Sequence, residues 1–276
     1  MPWHAQLLLD YRLDAQRTVL RHEHNGPLRI FKSLYPEGDA ICHNVIIHPP
    51  GGLVGGDVLD VQVHVGRGAH GLISTPGATR FYASDGLPTT QQVKLVLDAG
   101  ARLEWLPLEA IAYPGCQAHN SLRATLAEGA ELLAWDVTAL GLPTAGQAFD
   151  QGRFNQRLEI PGLWLEQARI DAADTRLLES PLGLGGQRCL GTLWLASGTP
   201  FSRERREQLL DGVRAVLDTA PAGVRAGATC PNPQLLVVRA VAPLVEPLMA
   251  TLQQVWAALR PLAWGLDGTP PRIWRV

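Results

Sequence analysis

The sequence predicts a mainly β protein, either a layered antiparallel β-sandwich or a solenoid-like stack of strand hairpins, with two C-terminal α-helices. Three observations carry this. Short apolar or alternating runs bounded by Gly, Pro, Asn and Asp fill residues 1–200. A strand, Gly-Ala, strand unit recurs with glycines at Gly68, Gly100 and Gly129, 32 and 29 residues apart, the spacing range of stacked β-repeats. Helical periodicity appears only late. A single domain over 1–276 is expected, β-rich over 1–200 and with both helices inside 201–262.

In chain order, Leu7 to Leu13 and Thr18 to His24 read as a first pair of short strands, followed by the turn Asn25-Gly26-Pro27. Leu28 to Leu34 is a further strand, ended by Tyr35-Pro36-Glu37-Gly38-Asp39. Asn44 to His48 and Val58 to Val65 flank an elbow, PPGGLVGGD, in which two diglycines enclose only Leu53 and Val54. Such a pattern predicts backbone at positive φ, or backbone pressed against another surface. The repeating units pair Val61–Val65 with Gly71–Thr75, Val93–Leu97 with Leu103–Leu106, and Leu122–Leu126 with Leu132–Val137. A hairpin with one apolar face cannot bury it alone, so the three units stack. Pro76, Pro107 and Pro114 place the ends of those second strands at edges or bulges.

Phe154 to Ile160 and Trp164 to Ile170 continue the β character around Pro161-Gly162, and Leu190 to Ala196 adds a strand. Ser202 caps a first helix, with Glu204 favourable to its dipole and Leu209, Leu210, Val213, Val216 and Leu217 at helical spacing before Pro221. A strand over Leu235–Val241 precedes the second helix, whose apolar positions run from Leu244 to Leu259 and which Pro261 ends. Leu209, Val213, Leu248, Leu252 and Trp256 are expected to face the β-layer.

Composition narrows the function. Hydrophobic residues make up 46% and charged residues 18%, a low charge content that predicts apolar surface covered by a partner. A net charge of -2 without a Lys/Arg block excludes a phosphate-backbone grip, and with it nucleic acid. No apolar run is long enough to span a bilayer and the N-terminus lacks a cleavage site, so a cytoplasmic location is expected. Cys42, Cys116, Cys189 and Cys230 are too scattered for a zinc pattern or a disulfide scaffold.

The elbow is a structural turn and no phosphate cradle, because a P-loop needs Gly-Lys-Ser/Thr opening a helix and this one leads into a strand. No Gly-x-Ser-x-Gly nucleophile elbow exists. Transition-metal chemistry has donors in His43, His48, Asp57, Cys116, His119, Glu104, Glu109, Asp136, Glu166 and Asp171, without the spacing of a closed four-ligand site. Glu104, Glu109 and Asp136 lie in strongly apolar stretches, where a carboxylate is costly to bury without an arginine partner or a water-filled passage. A competing reading is a β-solenoid hydrolase with Glu104 and Glu109 as paired carboxylates, although residues five apart need not face one way.

CHNVIIHPPGGLVGGD, STPGATRFY, LEWLPLEAIAYPGC, WDVTALGLP, ESPLGLGG and the closing PRIW resemble, in order and spacing, the urease accessory protein family UreD, also called UreH. The resemblance runs from about Leu28 to the C-terminus. It implies a non-catalytic cytoplasmic scaffold that binds UreF, recruits the GTPase UreG and helps load nickel into apo-urease, with no tightly bound cofactor. Within that reading, nickel passes transiently along weak, sequential donors. Asp57, Glu104, Glu109, Asp136 and Asp171 are the candidates, with His43 and His48 at the entrance. Arg205 and Gln253 mark the helix surface expected to meet UreF. Arg80 and Tyr82 match the family pattern and read equally as strand packing.

Overall fold

Each recurring Gly-Ala pair turns the chain around a corner of a β-solenoid. The structure, a computed structural model, describes residues 2–275. Gly68, Gly100 and Gly129 take φ of 68°, 67° and 70°, a left-handed conformation that costs a residue with a Cβ about 1–2 kcal/mol. The alanines that follow, Ala69, Ala101 and Ala130, are fully buried. Corners stack through backbone bonds: Gly100 N–H donates to the Glu128 carbonyl at 3.1 Å, while Arg102 and Glu131 N–H donate to the Ala69 and Ala101 carbonyls at 2.9 Å.

Strands β1 (His4–Asp14) and β2 (Arg17–Asn25) form an antiparallel pair, and β3 (Arg29–Ile30) pairs with β4 (Ile41–Ile47). The solenoid then winds over three faces. One coil comprises β5 (Val58–Val65), β6 (His70–Ser74) and β7 (Thr79–Phe81); the next comprises β8 (Thr89–Leu97), β9 (Arg102–Leu106) and β10 (Ala110–Ala112). In the third, β11 (Cys116–Leu126) leads into β12 (Glu131–Leu142), which serves the second and third faces in turn. After β13 (Gln147–Ala148) come β14 (Gly152–Ile160) and its antiparallel partner β15 (Trp164–Asp171). The first face is the parallel run β1, β5, β8, β11, β14; the second is β4, β6, β9, β12; the third is β7, β10 and the end of β12. About four turns result.

A short helix, α1 (Thr175–Glu179), precedes β16 (Cys189–Ser197). Helix α2 (Arg203–Leu217), β17 (Arg225–Asn232), β18 (Leu235–Ala242) and α3 (Val245–Trp264) follow. β16, β18 and β17 extend the second face antiparallel beyond β12, and with β3 and with β7, β10 and β13 branching off β12 the connected sheet has eleven strands. Both helices pack on its outer side. Leu209, Val213, Leu248, Leu252 and Trp256 are buried there against Trp135, Leu193, Leu195, Leu236 and Val238. The inner side of the same sheet lines the solenoid core with Leu103, Leu132, Ala134 and Trp194. A sheet buried on both faces needs near-continuous apolar strands, which gives the low charge content an internal source as well as any partner surface.

Of the two architectures the sequence allowed, the solenoid is the one adopted, but its units are not hairpins. β5 and β6 lie in different sheets and each pairs in parallel with its counterpart one coil on. A corner and a hairpin loop both ask for a glycine at positive φ between two apolar runs, so the sequence does not separate them. The strand expected over Leu28–Leu34 reduces to β3 and a single bridge between Leu34 and His43. Pro261 does not end α3, which continues to Trp264. Proline removes only one donor there, and the stop comes from Gly265 at φ 66°, whose N–H donates to the Pro261 carbonyl at 3.0 Å.

Candidate functional site

The elbow between β4 and β5 is shaped by close approach. A Cβ on Gly52 would lie 2.3 Å from the Tyr82 ring and 3.0 Å from the Arg80 carbonyl, and one on Gly55 would lie 2.7 Å from Ser84 Oγ. Gly51 and Gly56 supply positive φ. Asp57 closes the turn: its carboxylate accepts from Trp3 N–H at 2.7 Å and Val54 N–H at 2.9 Å. His48, at the end of β4, is half-buried, and burial lowers its pKa while the Asp57 charge opposes the shift. His48, Gly51 and Arg80 stand at a cleft of about 210 Å³ that Leu59, Val61, Gln91 and Trp105 also line.

From Gln91 a file of polar side chains crosses the solenoid interior. Strand alternation turns Asn120 inward between Ala118 and Leu122, and Gln156 inward between Phe154 and Leu158. Gln91 Nε2 donates to Asn120 Oδ1 at 3.2 Å, and Asn120 Nδ2 donates to Asp136 Oδ2 at 3.0 Å. Gln156 Nε2 donates to the other Asp136 oxygen. Burial pushes the Asp136 carboxyl up to about 6; the Gln156 and Asn120 bonds oppose this and the Glu166 charge adds to it. Glu166, on β15, accepts from Thr192 Oγ1 at 2.9 Å and Arg239 Nε at 2.8 Å.

A second cluster lies outside the second face, under α3. Glu104 is fully buried and accepts from His70 at 3.0 Å, Trp256 Nε1 at 2.7 Å and Arg260 at 3.1 Å. Arg260, itself fully buried, also forks onto Glu37 at 2.7 and 3.0 Å, and His43 meets Glu37 at 2.8 Å. Burial would raise both carboxyls, but His70 and Arg260 hold Glu104 below its ordinary value. His43 and Arg260 bring Glu37 to about 2. Sequence reasoning singled out His43 and Glu104 but missed Glu37, His70 and Arg260, which join them. An arginine on the Trp256, Leu259 side of an apolar helix was the available signal.

The remaining candidates are dispersed. Glu109 and Gln253 line one groove between the third face and α3. Glu104 is fully buried and saturated by His70, Trp256 and Arg260, while Glu109 lines the separate groove beside α3, so the two do not face one cleft as the paired carboxylates of a hydrolase would. Asp171 lies on the surface with Arg153 at 2.8 and 3.1 Å, which lowers its pKa. Arg205 forks onto Glu131 at 2.7 and 3.2 Å and donates to the Ala263 carbonyl at 3.0 Å. It therefore ties α2 and the end of α3 to the sheet. Burial raises the Cys116 and Cys189 thiols to about 11 and 12, which keeps them protonated. Among the described residues, no group of three or more His, Cys, Asp or Glu side chains is arranged to hold a metal ion, and no helix is long and apolar enough to cross a membrane.

Comparison with known proteins adds an independent result. The family model described as "UreD urease accessory protein" matches residues 4–275. The chain is 60% identical over 276 residues to the urease accessory protein UreD of Albidiferax ferrireducens, covering all of both chains. It is likewise similar over the full length of both chains to the UreD proteins of a Polaromonas species, at 58%, and Paracidovorax citrulli, at 57%.

Proposed function

The chain belongs to the UreD urease accessory protein family, a family of non-catalytic chaperones of urease maturation, and on that premise we propose that it hands nickel to apo-urease through its solenoid interior. In this reading it works in the cytoplasm, bridging UreF and the GTPase UreG to apo-urease, and holds no resident metal. The outer α2/α3 surface, with Gln253 at its edge, faces UreF, and Arg205 holds that surface in place through Glu131 and the Ala263 carbonyl. The observation that carries the proposal is the polar file from the cleft at His48 and Arg80 through Gln91, Asn120, Asp136 and Gln156.

Conduction needs binding strong enough to admit an ion and weak enough to release it, and scattered amide and carboxylate oxygens meet that need better than a closed cage. His48 suits the mouth because burial keeps its imidazole neutral, the state that can offer a lone pair to a metal. Asp57 adds negative charge beside it, although both of its oxygens are engaged by backbone N–H groups. Asp136, with a pKa of about 6, is mostly ionised at neutral pH and is the one carboxylate inside the file. His43 and Glu104 are engaged in the Arg260 cluster and Asp171 by Arg153, while Glu109 lines the separate groove beside α3, so the path is drawn past them.

The test is urease activation by nickel and GTP with Asp136→Ala, after confirming that the accessory complex still assembles. Activation should be lost with assembly intact; full activation would reject the path.

A further inference from the structure

We infer that Arg239 is the gate at the far end of the polar file: paired with Glu166 it bars a cation from leaving the solenoid interior, and swung into solvent it lets one out. The inference rests on the interior path proposed above.

The strand register carries the file past Asp136 to the rim of the molecule. Asp136 on β12 stands opposite Thr192 on β16, Thr192 opposite Arg239 on β18, and Arg239 opposite Gly227 on the edge strand β17. Residues in register share a face of the sheet, so one row of side chains runs from the interior outward. Glu166 meets this row from the other sheet. It faces inward on the edge strand β15, between Trp164 and Ala168, which pack on the core. Its carboxylate accepts from Thr192 Oγ1 at 2.9 Å and from Arg239 Nε at 2.8 Å, and its charge is felt at Asp136.

This end of the row is open to solvent. Thr192 is buried, but the Glu166 side chain is 20% exposed and that of Arg239 is 53% exposed. A Cβ on Gly227 would meet nothing within 4 Å, and a shallow groove of about 330 Å³ passes Gly183, Arg225, Gly227 and Arg239. The charges at this rim hold a cation back. Arg239 engages the carboxylate oxygen that a metal would use and sets a positive charge in front of it. Arg225, on the same groove, adds a second guanidinium, which donates to the Leu184 carbonyl at 3.0 Å. An exposed ion pair has little net worth and exposed side chains change rotamer readily, so Arg239 leaves Glu166 without disturbing either sheet.

Two substitutions break this one ion pair and separate a gate from a mere strap between the sheets. A strap makes Arg239→Gln and Glu166→Gln act alike. A gate makes them opposites, because the first removes the barrier and keeps the carboxylate while the second keeps the barrier and removes the carboxylate. The complex with UreF and UreG, carrying the wild-type chain or a variant, is supplied with nickel and GTP without apo-urease, and nickel reaching a colorimetric chelator in the bulk solution is followed. Arg239→Gln should speed this release about tenfold or more, as expected when a unit charge beside a divalent cation is removed at a partly buried rim. Arg239→Lys keeps the charge and should stay near the wild type, and Glu166→Gln should fall below it. Adding Asn120→Leu to Arg239→Gln should abolish the gain. Equal release from Arg239→Gln and the wild type, or a shift in the same direction in both glutamine variants, would overturn the gate and leave the path standing. Loss of assembly with Arg239→Gln would make the pair a strap and overturn the gate as well. A gain that survives Asn120→Leu would show nickel leaving by another route and overturn the path itself.

Discussion

Replacing Asp136 by asparagine should make the protein more stable and less able to mature urease. Its carboxyl has an ordinary value of 3.8 and is pushed up to about 6 by burial. Between those values the folded state binds more protons than the unfolded one, so stability falls as pH rises through this window and the full cost is present above it. At 1.36 kcal/mol per unit, the cost of the buried charge at neutral pH is about 3 kcal/mol. Asparagine removes that cost but gives up at least one charge-assisted hydrogen bond, from Asn120 or Gln156, worth about 1.5–3 kcal/mol. A net gain of about 1 kcal/mol remains, or roughly 2–4 °C in melting temperature for a chain of this size. Thermal and urea unfolding at pH 7.5 and pH 5 provide the assay, because the electrostatic contribution drops to about half by pH 5. An asparagine variant clearly less stable than the wild type at pH 7.5, or a difference that ignores pH, would refute the reasoning.

Two further outcomes follow from other charged groups. His64 is held between Asp10 at 2.9 Å and Asp98 at 3.1 Å, which raises its pKa, chiefly through the Asp10 bond. Its stabilising contribution is complete below the unfolded value and is lost as pH rises through the folded one, so the stability gap between wild type and His64→Gln should close from pH 5.5 to 8. Arg260→Met leaves Glu37 and Glu104 without their shared cation in a buried site. It should cost about 3–5 kcal/mol in urea unfolding, and a loss below about 1 kcal/mol would show that the histidines suffice.

The features legible in the sequence are those that depend on a few adjacent residues. Gly68, Gly100 and Gly129 announce the corners because positive φ is a local demand, and Ser202 announces α2 because its hydroxyl accepts from Arg205 N–H at 3.1 Å. The diglycines of the elbow were readable as close approach, though not that Tyr82 and Ser84 make it. Parallel pairing was not readable, since strands β5 and β8 show the same alternation whichever direction their neighbours run. Asp136 stands out as an acid in an apolar run, whereas its partners Asn120 and Gln156 carry no signal of their own, because only the strand register turns them inward. The Glu37, Glu104, Arg260 cluster joins residues 223 and 156 positions apart, a distance at which no spacing rule operates. Arg205 read as an exposed helix residue, because Glu131 comes to it from 74 positions away.

The most direct test of nickel transfer through the interior is the nickel content of apo-urease after incubation with the assembled accessory complex, nickel and GTP. The complex would carry either the wild-type chain or Asn120→Leu. Leucine at position 120 places an apolar plug in the middle of the file while leaving His48 and Arg80 at the cleft and the α3 surface in place. Nickel passing through the interior predicts an intact complex and urease that stays nickel-poor with the variant. Urease loaded to the wild-type level by an intact Asn120→Leu complex would contradict it.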